Sequence, residues 1–185
     1  MKTLWETVLM FIVFLTLSGV AHADDGNRDG ALEFKARLTA AQEVPENPSD
    51  ATGELEVEFD KGFTQLEFEL RIRNTTGTIT RAHFHCALPG ENGPIAFGIF
   101  DPGPLPVPVN AQELKVKGFL TNADFNEVDC IPNIGRPVNN LAALALAMRE
   151  GLIYANVHTS FQTGGEIRGQ MIEVIQEKNR LLPFR

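Results

Sequence analysis

Glu54-Leu55-Glu56-Val57-Glu58-Phe59-Asp60, Lys61-Gly62, and then Gln65-Leu66-Glu67-Phe68-Glu69-Leu70-Arg71-Ile72-Arg73 decide the fold of this chain. Apolar and charged residues alternate strictly in both runs, the period of a strand with one buried and one wet face. The Lys61-Gly62 pair between them is a turn signal, so the stretch predicts an antiparallel hairpin. Outward from it the pattern repeats. Leu32 to Leu38 alternates in the same way, and Thr80–Cys86, Ile95–Phe100, Leu114–Leu120, Leu152–Thr159 and Glu166–Ile175 also read as strands. The segments between them are short and rich in Gly, Pro, Asn and Asp, as at Gln42–Asp50 and Asn74–Gly77. Thr121-Asn122-Ala123-Asp124 predicts a capped helical turn. One longer helix is predicted over 139–149, with Asn139 or Asn140 as N-cap and Gly151 as its stop. Asp101 to Pro108 contains four prolines and fits neither regular sheet nor helix. Many short strands with one helix predict an all-β, antiparallel β-sandwich.

Residues 1–23 have the form of a secretory signal peptide. Lys2 opens it, Val8–Leu17 is apolar except for Thr16, and Ala21-His22-Ala23 is an A-x-A cleavage site. The apolar run is short for a membrane span, so the expected product is secreted or periplasmic, without a membrane anchor after cleavage. The expected organisation is a flexible segment over 24–31, one domain over 32–175 and a tail over 176–185. A net charge of −8 without a Lys/Arg cluster argues against nucleic acid as a partner.

The chain has four histidines. His22 leaves with the leader, and the other three fall in two short motifs. His83 and His85 lie in Arg81-Ala82-His83-Phe84-His85-Cys86, and His158 lies in Tyr154-Ala155-Asn156-Val157-His158-Thr159. On a strand His83 and His85 face the same way. Two imidazoles on one face and a third from another strand is a donor set for copper or zinc. Glu166 and Asn156 are candidates to hydrogen-bond the rings from behind, and Met171 is the nearest sulfur in sequence that could serve as an axial ligand. The bland reading is a buried hydrogen-bond cluster of histidines with no metal. Glu166 and Arg168 share a strand face, where a salt bridge between them is the alternative to a role at the rings.

Cys86 and Cys130 form an even pair, which in an exported chain points to a disulfide. The alternative is Cys86 as a thiolate ligand beside His85, but strand alternation sends its sulfur to the opposite face. Asn92-Gly93-Pro94 predicts a turn with a positive φ at Gly93. Asn74-Thr75-Thr76 fits a glycosylation sequon. There is no Gly-x-Ser-x-Gly, phosphate-cradling glycine loop or His-Glu-x-x-His motif.

Three blocks in order resemble the CHRD domain, a module named for the secreted protein chordin and found in many exported bacterial proteins. They are Phe34-Lys35-Ala36-Arg37-Leu38-Thr39-Ala40-Ala41-Gln42-Glu43-Val44-Pro45 with Ala51-Thr52-Gly53, then Ala82-His83-Phe84-His85 with Gly90-Glu91-Asn92-Gly93-Pro94-Ile95, and finally Gly151 through Tyr154–Thr159 to Gly165–Gln170. The resemblance implies an all-β sandwich and an extracellular binding role, with a metal ion or an extracellular protein as partner. Copper–zinc superoxide dismutase is similar in architecture and motif type. That likeness implies an alternative, a copper-dependent redox enzyme, although three histidines cannot build its two-metal site. The third reading is an extracellular protein-interaction module whose histidines are structural.

Overall fold

The computed structural model describes residues 31–100, 113–125 and 129–175. The leader, nearly all of the 24–31 segment, the proline-rich run at 101–108 and the tail over 176–185 lie outside the described residues. The described chain is nearly all β. Its strands are β1 (Leu32–Thr39), β2 (Thr52–Phe59), β3 (Gln65–Arg73), β4 (Ile79–Cys86), β5 (Ile95–Phe100), β6 (Glu113–Thr121), β7 (Ile153–Thr159), β8 (Ile167–Gln170) and β9 (Ile172–Glu173). Two short helices, α1 (Ile131–Ile134) and α2 (Leu141–Arg149), lie between β6 and β7.

The β2–β3 hairpin forms as its alternation requires. Leu55 pairs with Leu70, Val57 with Phe68 and Phe59 with Leu66, all facing the core. Its turn is organised by Asp60, whose carboxylate accepts from the Thr64 and Gln65 amides at 2.7 and 2.8 Å. The opposite face of β1, β2, β3 and β6 is charged. Glu69 lies at its centre, in ion pairs with Arg71, Lys115 and Lys117.

The sandwich is made by one continuous sheet folded over on itself. Hydrogen-bonded neighbours run β5-β4-β7-β8-β1-β2-β3-β6, with β9 added to β1. The bend lies where β8 meets β1 through a single register pair, Thr39 with Arg168. The far ends approach again through an isolated bridge between Phe97 and Phe125, whose ring centroids are 4.3 Å apart. The result is a nearly closed, barrel-like sandwich.

Phe34, Phe59, Phe84, Phe97, Leu38, Leu55, Leu66, Leu70 and Ile72 fill the interior, each essentially inaccessible. Each such side chain contributes roughly 1.5–3 kcal/mol by leaving water. Helix α2 adds Leu141, Leu144 and Met148 to the same core. Its N-cap is Asn140, which accepts from the Ala143 amide at 2.8 Å, and Gly151 follows its end with φ 71°. The Cys86 and Cys130 sulfurs are bonded inside the core, joining the end of β4 to the start of α1.

The strand expected over 166–175 is in fact two. β8 pairs with β7, Met171 turns into the core, and β9 pairs with β1 on the other side of the bend. A straight strand could not serve both halves of a folded sheet. Met171, 1% exposed in the hydrophobic core, is therefore not an axial ligand for the histidines.

Candidate metal centre

β4 and β7 are antiparallel neighbours, and their register brings the two histidine motifs together. Arg81 pairs with His158, His83 with Asn156 and His85 with Tyr154. Directly paired residues share a face, so His83, His85, Tyr154, Asn156 and His158 form one polar layer. The register of β7 with β8 adds Arg168 opposite Asn156 and Gln170 opposite Tyr154. The other face of these strands carries Ala82, Phe84, Cys86, Ala155 and Val157 into the core. Strand β7 is buried along its whole length because both faces are covered. The second cover consists of loops: Glu43 and Val44 from one, Asn92 and Gly93 from another, and Thr163 from a third.

One ring nitrogen from each of His83, His85 and His158 lies within 4.8 Å of the others. Each residue is only 8% exposed. His85 Nδ1 is 2.9 Å from the Gly93 carbonyl, and His158 Nδ1 is 3.0 Å from the Thr163 carbonyl. A carbonyl only accepts, so in both rings Nδ1 carries the proton and Nε2 keeps its lone pair. His83 Nδ1 is 3.3 Å from His158 Nε2, to which it donates. His85 Nε2 is buried and has no hydrogen-bond partner among the described residues.

Burial lowers both of these imidazole pKa values. His85 is held down to about 4, with His158 and Arg168 adding repulsion. His158 is lowered chiefly by burial and further by Arg81. Both rings are therefore neutral at pH 7.

This geometry fits a metal ion. Metal-bound imidazoles normally donate their other N–H to a carbonyl or carboxylate, as His85 and His158 do here. Nitrogens about 2.0–2.1 Å from a tetrahedral or trigonal ion lie roughly 3.3–3.5 Å from one another. The 3.3 Å between His83 Nδ1 and His158 Nε2 is of that size, and the proton that now joins them would move to His83 Nε2 for both nitrogens to face an ion. The Nε2 of His85 is a buried lone pair that no described residue satisfies, and leaving such a group without a partner costs about 1–3 kcal/mol.

Two residues expected behind the rings do other work. The Glu166 carboxylate accepts from Ser49 Oγ at 2.6 Å and the Thr76 amide at 2.7 Å, joining two loops away from the imidazoles. It immediately precedes β8 and follows Gly165, where φ is 138°. Asn156 sits in the polar layer, but its Nδ2 donates to Glu43 Oε1 at 2.7 Å and not to a ring. Cys86 is bonded to Cys130 on the core face, so no thiolate reaches the site.

Three further residues meet at the layer: Tyr154, which the sequence reading does not single out, Arg168, read there as a salt-bridge partner of Glu166, and Asn92, read as part of a turn. Tyr154 stacks on His85 with ring centroids 4.8 Å apart and planes 6° apart. The Arg168 guanidinium lies over the Tyr154 ring, 3.5 Å from its centroid. Arg168 also donates to Asn92 Oδ1 and to the Glu91 carbonyl, and Asn92 Nδ2 reaches the Val44 carbonyl. Extending the period-2 count from His85 and His158 to Tyr154 would have found the stack. The Glu43 contact depends on a loop returning over the sheet, and no local pattern encodes it.

Gly93 is required for a reason other than a positive φ, which occurs at Gly90 instead. A Cβ at Gly93 would lie 2.0 Å from the Cys86 carbonyl oxygen. Gly93→Ala is therefore expected to push the loop off β4, destabilise the fold by about 1–3 kcal/mol and break the His85–Gly93 hydrogen bond. Urea unfolding and the imidazole NMR shifts of His85 check both effects.

Glu43 is a second buried titratable group in the layer. Burial raises its carboxyl pKa to about 7, against the opposing attraction of Arg168 and the hydrogen bond from Asn156. Its folded pKa is above the unfolded value, so its contribution to stability is fully present below about 4.5 and declines as pH rises toward 7. Glu43→Gln is expected to remove that decline. The stability difference between variant and wild type should shift in favour of the variant from pH 5 to pH 8, measured by urea unfolding.

A family model described as CHRD domain matches residues 34–171. No curated protein and no solved structure matches the chain.

Proposed function

This chain belongs to the CHRD domain family, and we propose that it is an exported binding module that holds a copper-type metal ion on His83, His85 and His158. One observation carries the reading. Two of the three imidazoles are anchored through Nδ1 to backbone carbonyls, and the lone pair this leaves on His85 Nε2 is buried with no partner among the described residues. Neutral imidazoles suit copper and zinc, and the order of affinities for divalent ions places copper above zinc. When bound, the ion would supply a Lewis-acid or redox centre. The chain's own part is to fix the rings, cover them with the Gly93 and Thr163 loops and exclude water.

Export is part of the proposal. It is supported by the leader-like residues 1–23, by the joined cysteines and by the extracellular setting of the family. No described helix is long and apolar enough to cross a membrane.

The test is elemental analysis and metal titration of untagged protein produced in an oxidising compartment. About one copper or zinc per chain supports the reading, and no uptake overturns it. The hydrogen bond between His83 and His158 favours a second reading, a structural cluster in an interaction module. That reading expects no uptake. Assaying the copper-loaded protein for superoxide dismutation separates a redox enzyme from a carrier.

A further inference from the structure

The groups around the three rings decide which ion the site suits. Among the described residues the cluster of possible ligands contains no carboxylate and no thiolate. Any charge on a bound ion would have to be tolerated by neutral donors at positions 8% exposed. The cost of moving an ion from water into a poorly polarisable interior grows with the square of its charge. A divalent ion on three neutral imidazoles keeps its full charge there, because no anionic protein ligand offsets it.

The surroundings raise that cost further. Arg81 stands opposite His158 in the β4–β7 register. Arg168 is 2% exposed and stacked on Tyr154, which is stacked on His85. Its guanidinium is thus linked to the imidazole through two contacts, of 3.5 and 4.8 Å. Glu43 faces Arg168 and hydrogen-bonds Asn156, so it offsets at most one of the two positive charges.

Resting on the metal reading above, we propose that Arg81 and Arg168 make this a cuprous site, one that holds Cu(I) in preference to Cu(II) or Zn(II). Neither arginine touches the ion. They are specificity determinants that act through the field they place on His158 and, across Tyr154, on His85. The absence of sulfur ligands means that charge and burial carry the preference.

The magnitude follows from one unit of charge. For a separation of roughly 8 Å and an effective dielectric constant near 20, a neighbouring cation disfavours one additional positive charge by about 30-fold. Arg168→Gln should therefore lower the Cu(I)-to-Cu(II) affinity ratio about 30-fold, equivalent to about 90 mV in midpoint potential at 59 mV per tenfold.

The experiment uses untagged full-length protein loaded anaerobically with Cu(I), and separately with Cu(II) and Zn(II). Dissociation constants come from competition with a chromophoric chelator, and the potential from voltammetry. Tighter binding of Cu(I), a drop in the ratio for Arg168→Gln and a retained ratio for Arg168→Lys support the proposal. Arg81 is exposed, so Arg81→Glu provides a second variant that does not disturb the core, with a drop in the same direction reduced by solvent screening. Binding of both copper states with an unchanged ratio in every variant overturns the proposal and leaves the metal site standing. Failure to bind any of the three ions overturns both.

Discussion

His85→Ala is expected to lower copper affinity by more than about 100-fold, since loss of a group that only supports a ligand already costs 10–100-fold. The same change is expected to cost the metal-free fold only about 1–3 kcal/mol, within the ordinary range for a buried residue. The alanine gives up the hydrogen bond to Gly93, worth about 0.5–1.5 kcal/mol, and the stack on Tyr154, but also removes a buried Nε2 that has no partner among the described residues. The combination is diagnostic. A residue kept for packing would lose stability on truncation and leave metal binding alone. Isothermal titration with copper and urea unfolding of the apo-protein measure the two effects. A variant that unfolds early yet still binds copper as wild type does would refute the assignment of His85.

Replacing both Cys86 and Cys130 by alanine is expected to cost about 3–4 kcal/mol, because the bond closes a loop with a sequence separation of 44. For a domain of this size that is a fall in melting temperature of roughly 10 °C. Calorimetry of the double variant, and of wild type with and without reductant, checks it. Both cysteines are fully buried, so the reductant is expected to act slowly until the protein is warmed.

The alternation in Glu54–Arg73 contained the hairpin and its core face in full, because a half-buried antiparallel strand records its environment every second residue. The His-x-His spacing was legible for the same reason, and so was the opposite orientation of Cys86. The break between β8 and β9 was not. Glu166–Ile175 is one apolar-rich run, and the turn of Met171 into the core is imposed by a sheet that changes direction there. The second cover of the histidines was also hidden. Glu43, Asn92 and Thr163 reach the site through loops of unrelated sequence, and a loop's destination is set by the whole topology. Glu166 shows the reverse case. The expected hairpin put it beside His158, but its carboxylate is taken up by Ser49 and the Thr76 amide, partners from loops that no local pattern encodes.

The bond between Cys86 and Cys130 has a consequence for the metal site beyond its effect on the unfolded chain. β4 carries cysteine on one face and two histidines on the other. A slip of this strand by one residue against β7 would turn both imidazoles into the apolar interior and the sulfur outward. Anchoring Cys86 inside the core forbids that slip, so the cross-link acts as a phase lock for the histidines. The correct presentation of His83 and His85 thereby becomes tied to an oxidising surrounding.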